Sequence, residues 1–412
     1  MSSIKNALYA QSGGVTAVIN ASACAVIQTA RLYPKKIGKV FAAQNGIIGA
    51  LNEALIDTSL ESDEDIAKLL HTPAGAFGSC RFKLKDGGDE YERLLDVFKA
   101  HNIGYFFYNG GGDSMDTANK VSRISASLGY PMTCIGIPKT VDNDLPFTDN
   151  CPGFGSVAKY VAISTKEAGF DVASMAASST KVFILEVMGR HAGWIAAASA
   201  LANEEAHQPP HIILLPEATF NKKAFLAKVD HTVKNQGYCV VVVSEGICDE
   251  TGQFLSETGL KDAFGHAQLG GVAPQLAQLI QHELGYKFHW AVADYLQRAA
   301  RHIASRVDLD HAYALGKAAV ELAINGHTAV MPIINRDQDS PYRWSIGFVL
   351  LSDVANQERK IPAEYIAADG MGITPACRRY LAPLIQGEAY PPYVNGMPDY
   401  VRLKNSLVER VL

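Results

Sequence analysis

The stretch IGYFFYNGGGDSMD, residues 103–116, gives the clearest indication of the fold of this chain. An almost continuous apolar and aromatic run leads into three consecutive glycines, and a helical pattern starts directly after them. A run that is apolar on both faces is typical of a strand in a parallel sheet with helices on both sides. The stretch therefore predicts a buried strand, a glycine-rich turn and a helix, which together begin a parallel β–α–β unit.

The same alternation recurs along the first 330 residues and weakens afterwards. Further apolar runs lie at 4–10, 39–43, 132–137, 181–187, 211–215 and 238–244, and helical patterns at 15–31, 114–127, 156–169, 191–203, 221–235, 269–283 and 311–325. A chain of 412 residues is too long for one compact core, which favours two lobes. In such sheets ligands bind beyond the carboxyl ends of the strands, so the turns after the strands are where we expect the chemistry.

Composition excludes several classes of function. The chain has 37 basic and 42 acidic residues and no long basic run, which argues against a nucleic-acid or membrane-surface partner. We find no signal peptide and no apolar stretch long enough to span a bilayer. The seven cysteines are scattered and form no CxxC pair, which argues against zinc and disulfides. We expect a cytoplasmic protein.

Two glycine-rich turns could each cradle a phosphate. Gly13 and Gly14 follow the first strand, where backbone amides could approach an oxyanion, although a plain tight turn is an equal alternative. Gly110 and Gly111 follow the strand at 103–108, and Asp113 places a carboxylate at the mouth of that turn. The alternative for this second turn is an ordinary Asp/Ser helix N-cap.

A third turn, PKTVDND at 138–144, places a lysine, a threonine and two carboxylates directly after a buried strand. Lys139 can neutralise a phosphate. Asp142 or Asp144 can accept a hydroxyl proton or hold Mg²⁺. An Asp–Asn pair also fits a simple turn.

These residues resemble the phosphofructokinase family. GGGDS at 110–114 is similar to its phosphate loop, and PKTVDND to its catalytic turn. Further likenesses follow in order: GSCR at 78–81, EVMGR at 186–190, SEG at 244–246 and YLQR at 295–298. The resemblance spans roughly residues 5–330. It implies two Rossmann-like lobes with mainly parallel sheets flanked by helices and an active site in the cleft between them, in a glycolytic homodimer or homotetramer.

The resemblance also implies lobes and roles. It places a donor lobe at 1–150, completed by part of 297–345, a sugar-phosphate lobe at 151–296 and a C-terminal segment at 346–412. The catalytic residues would be Asp142, Lys139, Thr140 and Arg81, and the donor-binding residues Gly13, Gly14, Gly110, Gly111 and Asp113. The residues for fructose 6-phosphate would be Thr140, Asp142, Lys181, Met188, Gly189, Arg190, Glu245, Tyr295 and Arg298. Mg²⁺ would lie on Asp113, Asp142 or Asp144, because Gly112 stands where many members have an aspartate.

Two positions indicate the phosphoryl donor. ATP-using relatives generally have glycine where Asp113 and Lys139 stand. A carboxylate at 113 would repel a nucleotide's α-phosphate by about 4 kcal/mol at a separation of about 4 Å. We therefore expect a reversible transfer from pyrophosphate to fructose 6-phosphate. An ATP-dependent enzyme, a non-catalytic sugar-phosphate-binding subunit and sedoheptulose 7-phosphate as acceptor remain alternatives.

Overall fold

The computed structural model describes residues 4–85, 89–205, 207–255 and 271–412, with the backbone of two further strands at 257–261 and 267–269. The strands are β1 (Lys5–Gln11), β2 (Ile37–Ala43), β3 (Leu55–Asp57), β4 (Ile103–Gly110), β5 (Thr133–Pro138), β6 (Val182–Val187), β7 (Ile212–Leu214), β8 (Cys239–Ser244), β9 (Glu257–Lys261), β10 (Ala267–Leu269), β11 (Phe288–Val292), β12 (Val330–Asp339), β13 (Tyr342–Leu350), β14 (Tyr393–Val394) and β15 (Met397–Pro398). The helices are α1 (Ile19–Arg31), α2 (Ile47–Leu51), α3 (Asp63–Lys68), α4 (Glu90–Ala100), α5 (Gly112–Ser127), α6 (Phe154–Met175), α7 (Trp194–Ala198), α8 (Lys222–Gln236), α9 (Val272–Leu284), α10 (Asp294–Ala299), α11 (Arg306–Ile324), α12 (Leu351–Val354) and α13 (Pro375–Leu381).

The larger sheet has the strand order β13-β12-β5-β4-β1-β2-β3. Its central strands are parallel, and Gln11 pairs with Asn109 while Gly110 pairs with Pro138. This register places the carboxyl ends of β1, β4 and β5 side by side. The turns that follow these three strands therefore meet at one edge of the sheet.

The smaller sheet is parallel throughout, with the order β11-β6-β8-β7. Val187 at the end of β6 pairs with Ser244 at the end of β8. Glu186 pairs with Val292, the last residue of β11. The turns after β6, β8 and β11 consequently gather at a second edge.

Both faces of the central strands of the larger sheet are buried, as their apolar runs predict. Phe106 belongs to a core cluster on one face with Leu8, whereas Phe107 belongs to a cluster on the other face with Tyr9. Each side chain of this kind, fully withdrawn from water, contributes about 1.5–3 kcal/mol to stability. Mixed α/β architecture with mostly parallel sheets flanked by helices is thus confirmed, and the seven predicted strands lie within two residues of their expected ends. The division into lobes stays a prediction.

The chain beyond residue 330 is more regular than its sequence indicates. β12 and β13 form an antiparallel hairpin, and β12 joins the larger sheet beside β5. Farther on, the chain returns to the opposite edge of that sheet, where Leu407 pairs with Ile56. Within the described ranges, no helix is both long and apolar enough to cross a membrane.

Candidate active site

The turn after β1 is fixed by contacts with the loop at 78–81. The amide of Gly13 donates to the carbonyl of Cys80 at 2.9 Å, and the Ser79 hydroxyl donates to the Gly13 carbonyl at 2.8 Å. A side chain at Gly14 would come within 2.7 Å of the Arg298 guanidinium. A cation therefore lies close to this turn, and a side chain at position 14 would displace the end of the Arg298 side chain.

Lys139 connects the turn after β5 to the turn after β1. Its Nζ donates to the carbonyls of Ser12 at 2.7 Å and Gly14 at 2.6 Å, and the residue is only 4% exposed. Burial lowers the pKa of Lys139 to about 8, helped by the nearby cations Arg298 and Arg81. The ammonium group thus lies where the turns after β1 and β5 meet, and the backbone amide of Lys139 donates to the Gly110 carbonyl at the end of β4 at 3.1 Å.

Asp142 is the carboxylate best prepared to act as a base. Burial, together with the charges of Asp144 and Glu245, raises its pKa to about 7, whereas Lys139 and Arg190 act in the opposite direction. A base whose pKa lies near the working pH is efficient in general base catalysis. Because Glu245 and Arg190 follow strands of the smaller sheet, Asp142 lies between the two groups of turns.

Thr140 and Asp144 complete this turn. The Thr140 hydroxyl accepts a hydrogen bond from the Asp142 amide at 3.1 Å. Burial and the charge of Glu358 raise the pKa of Asp144. A plain surface turn does not account for a buried lysine in the same turn as two half-buried carboxylates.

The turn after β4 differs from an ordinary N-cap. Helix α5 begins at Gly112, and its cap residue Gly111 makes no side-chain hydrogen bond. The Asp/Ser N-cap alternative is therefore wrong, and Asp113 instead lies in the first helical turn. A side chain at Gly110 would meet Ser114 Oγ at 2.0 Å, whereas one at Gly112 would meet nothing within 4 Å. Lack of room for a Cβ therefore does not explain why glycine stands at 112, where many members of the family have an aspartate.

Asp113 has a partner that the sequence analysis missed. Lys83 Nζ lies 3.1 Å from its carboxylate, and both side chains are about half exposed. Exposed pairs of this kind contribute about 0–1 kcal/mol. Lys83 nevertheless offsets the negative charge of Asp113, so the expected exclusion of nucleotide by charge becomes weaker and the bulk of the side chain gains importance. The position of Lys83, two residues after Arg81, was the available signal.

The turns of the smaller sheet interlock. Gly189 adopts a φ of 136°, and its amide donates to Glu245 Oε1 at 3.3 Å. A side chain at Gly246 would lie 1.9 Å from the Arg190 carbonyl. The amide of Met188 donates to Gln297 Oε1 at 3.4 Å. Met188, Gly189, Arg190 and Glu245 are thus brought together as predicted.

Arg298 and Tyr295 lie beside each other, with the guanidinium 3.8 Å above the Tyr295 ring centroid. The same guanidinium contacts Gly14, so it reaches the donor turn as well as the sugar side. Tyr295 is 59% exposed. The structure therefore places Arg298 between the two predicted groups of ligands.

Lys181 is not brought to this cluster within one chain. It precedes β6, whereas Met188 to Arg190 follow the end of that strand. Six strand residues span about 20 Å, so Lys181 lies at the opposite end. Its ammonium group donates to the carbonyl of Ala176.

Several features converge where the parallel strands end: glycine-rich turns, a buried lysine, arginines and a carboxylate with a raised pKa. This combination is typical of an enzyme of phosphoryl transfer. The comparisons specify the class. The chain belongs to the phosphofructokinase family, whose family model, Phosphofructokinase, matches residues 6–323.

Curated relatives and a solved structure match this chain over almost its whole length. A Methylococcus capsulatus protein named pyrophosphate–fructose 6-phosphate 1-phosphotransferase is 64% identical over 411 residues, covering 99% of this chain and 98% of its own. A Xanthomonas campestris protein of the same name is 58% identical, with coverage of 99% and 98%. The crystal structure of a pyrophosphate-dependent phosphofructokinase from Marinobacter aquaeolei superposes with a TM-score of 0.92 at 63% identity, covering 99% of this chain and 98% of its own.

Proposed function

We propose that this enzyme transfers a phosphoryl group reversibly from inorganic pyrophosphate to the 1-hydroxyl of D-fructose 6-phosphate. The products are fructose 1,6-bisphosphate and phosphate. The observation that carries the proposal is the joint placement of Lys139 and Asp142, a buried cation and a proton acceptor in one turn beside the first glycine turn. The names of relatives 58–64% identical over the full chain support the choice of donor and acceptor.

In this proposal Asp142 accepts the proton of the 1-hydroxyl as that oxygen attacks the nearer phosphorus of pyrophosphate. The bridging P–O bond breaks, and its electron pair leaves with the departing phosphate. Lys139, Arg81 and Arg298 balance the charge on the transferring group, and Thr140 orients it. Positioning and electrostatic stabilisation supply most of the catalysis in such transfers.

The two groups of turns divide the binding of substrates. Gly13, Gly14, Gly110, Gly111 and Asp113 would bind pyrophosphate, and Met188, Gly189, Arg190, Glu245 and Tyr295 would bind the sugar phosphate. Lys181 would reach the sugar phosphate of a neighbouring subunit in a homodimer or homotetramer, since its own site is at the other end of β6. Lysine retains the positive charge there without the bidentate geometry of arginine.

Mg²⁺ is the cofactor that the chemistry requires. In the part of the chain that the structure describes, no three His, Cys, Asp or Glu side chains form a metal cage. Mg²⁺ is commonly held by one or two carboxylates together with substrate phosphates, and Asp144, which leaves Asp142 available as the proton acceptor, fits that pattern. Asp113 is less suited because it pairs with Lys83. The ion, when bound, would neutralise charge on the phosphoryl oxygens.

A donor panel tests the proposal. Purified protein with Mg²⁺ and fructose 6-phosphate should turn over with pyrophosphate and at least 100-fold more slowly with ATP. Brisk turnover with ATP and none with pyrophosphate would contradict the choice of donor. No turnover with either would favour a non-catalytic subunit.

Two variants at one position identify how nucleotide is excluded. Asp113→Asn keeps the bulk and removes the charge, whereas Asp113→Gly removes both. Because Lys83 already offsets the charge, we expect Asp113→Asn to remain specific for pyrophosphate and Asp113→Gly to gain measurable ATP turnover. ATP use by both variants would show instead that charge alone excludes the nucleotide.

A further inference from the structure

Residues 358–361, which we call the strap, lie outside the region matched by the family model and contact both groups of turns. The backbone amide of Arg359 donates to the Asp144 carbonyl at 2.6 Å. The strap therefore contacts the chain two residues after Asp142, the proposed base.

The Arg359 side chain holds both ends of the turn that follows Asp142. Its Nε and Nη2 donate to the Asn143 carbonyl at 3.3 and 2.9 Å. Its Nη1 donates to the carbonyls of Thr148 at 2.8 Å and Asp149 at 2.7 Å. One guanidinium thus makes four hydrogen bonds to backbone carbonyls on both sides of residues 144–147, whereas a lysine ammonium has three donors on a single atom.

The turn needs this support because its backbone is strained. Asn143 and Phe147 have φ values of 55° and 67°, in the left-handed region that side chains disfavour. Asn143 is fully buried, and its side-chain amide donates to the Tyr380 hydroxyl at 3.0 Å. That hydroxyl in turn donates to the Asp149 carbonyl at 2.6 Å.

The strap is also attached to the loop that follows Arg190. His191 Nδ1 lies 3.2 Å from the Glu358 carboxylate, and Trp194 Nε1 donates to the Arg359 carbonyl at 3.3 Å. Glu217 accepts hydrogen bonds from the amides of Gly193 and Ile361, both at 3.0 Å. The strap therefore ties the proposed sugar-binding loop to the proposed catalytic turn.

We propose that Arg359 is a positioning residue for Asp142, acting by fixing the turn at 143–149 relative to the loop after Arg190. This inference rests on the proposed function. Arg359 does not need to contact substrate: a displacement of about 1 Å at a reacting group can cost about 100-fold in rate.

Arg378 offers a matched control. It too belongs to the C-terminal segment and donates to backbone carbonyls, those of Asn203 at 2.9 Å and of Ala200, with a further bond to the Asn203 side chain. Its partners follow α7 and do not belong to the catalytic turn. A general loss of C-terminal packing should therefore affect both arginines alike.

The experiment compares Arg359→Met and Arg359→Lys with Arg378→Met and Arg378→Lys in the full-length protein. The readouts are kcat, the KM of each substrate, and hydrogen exchange of peptides covering 142–150.

We expect Arg359→Met to lower kcat about 100-fold with both KM values within about threefold. Arg359→Lys should recover only part of the loss, and exchange at 142–150 should accelerate in both variants. The Arg378 variants should keep kcat within about threefold. If either methionine variant does not fold, the comparison of Arg359→Lys with Arg378→Lys tests the inference instead.

Equal kcat losses at positions 359 and 378, or unchanged exchange at 142–150, would overturn the inference. Failure of the proposed function is recognised separately, because the wild type would then not turn over pyrophosphate. Hydrogen exchange would still decide in that case whether Arg359 orders the turn.

Discussion

At the scale of single residues, the environment of Asp142 suits it to the role of proton acceptor that we propose. The pKa of an ordinary aspartate lies far below neutral pH, but burial and the charges of Asp144 and Glu245 raise the pKa of Asp142 to about 7. The proton acceptor is the ionised form. In the direction that phosphorylates fructose 6-phosphate, kcat/KM, which reports ionisation of the free enzyme, should therefore rise as pH increases through about 7, and fall below it.

Asp142→Asn tests this assignment. The amide cannot accept the proton, so we expect kcat to fall by a factor of about 10²–10⁴, the usual contribution of a general base. Binding of fructose 6-phosphate, measured by calorimetry, should stay within a few-fold, because the neighbouring Glu245 and Arg190 are unchanged. The residual rate should lose its rise near pH 7. A variant with near-normal kcat and an unchanged pH profile would show that another group is the base.

The pKa of Asp142 also bears on stability. Because its folded pKa lies above the unfolded value, the folded state binds the extra proton, and this contribution to stability is lost as pH rises from about 4 to 7. The ionised base is thus held at a cost in stability. Such a cost is common where a carboxylate must stay available for catalysis.

At the scale of elements, the glycines after the strands set how closely neighbouring turns approach. A Cβ at Gly246 would lie 1.9 Å from the Arg190 carbonyl, a backbone atom that cannot rotate away. Gly246→Ala should therefore displace the loop at 188–190 and raise the KM for fructose 6-phosphate at least about tenfold. Gly372→Ala is the control, since its Cβ would meet Ala367 at an ordinary 3.6 Å. Similar KM values in the two variants, from initial-rate kinetics, would contradict this account.

Elements built from local patterns could be predicted from the sequence. Strands such as β4 and β8 are continuous apolar runs, and the parallel order of β1, β4 and β5 brings Gly13, Gly110 and Lys139 to one edge. The hairpin of β12 and β13 could not be predicted in the same way. β13 alternates between exposed and partly buried residues, and its exposed face carries Ile346 and Phe348, so neither a buried run nor a clean polar alternation marks it.

Residues whose proposed roles depend on tertiary contacts could not be predicted from the sequence either. Arg359 has no motif around it. Its side chain makes four hydrogen bonds to backbone carbonyls that lie more than 200 residues away in the sequence. Lys83 is similar, because its pairing with Asp113 requires the loop at 78–83 to lie beside α5. Lys181 shows the opposite case: its place in the sequence suggested a ligand, whereas within one chain it lies at the far end of β6.

At the scale of the whole molecule, the C-terminal chain covers an edge of the larger sheet. The Asp57 amide donates to the Ser406 carbonyl at 3.0 Å, and the Val408 amide to the Leu55 carbonyl at 2.8 Å. Uncovered edge strands expose unpaired backbone groups and promote association between chains. The final residues therefore extend the pairing of β3 and protect it.

Removal of residues 405–412 should consequently lower stability and promote aggregation. The deletion uncovers β3, and it also removes the amides of Val411 and Leu412 that donate to Glu53, a carboxylate that is only 1% exposed. His101, 2.7 Å from Glu53, would remain as a partner, so the carboxylate would be partly and not wholly unpaired. We expect a drop in Tm of several degrees and a larger particle size by light scattering, both measured beside a control lacking Leu412 alone, which keeps the pairing with β3. Equal Tm values for the two truncations would show that the C-terminal residues cover the edge without stabilising it.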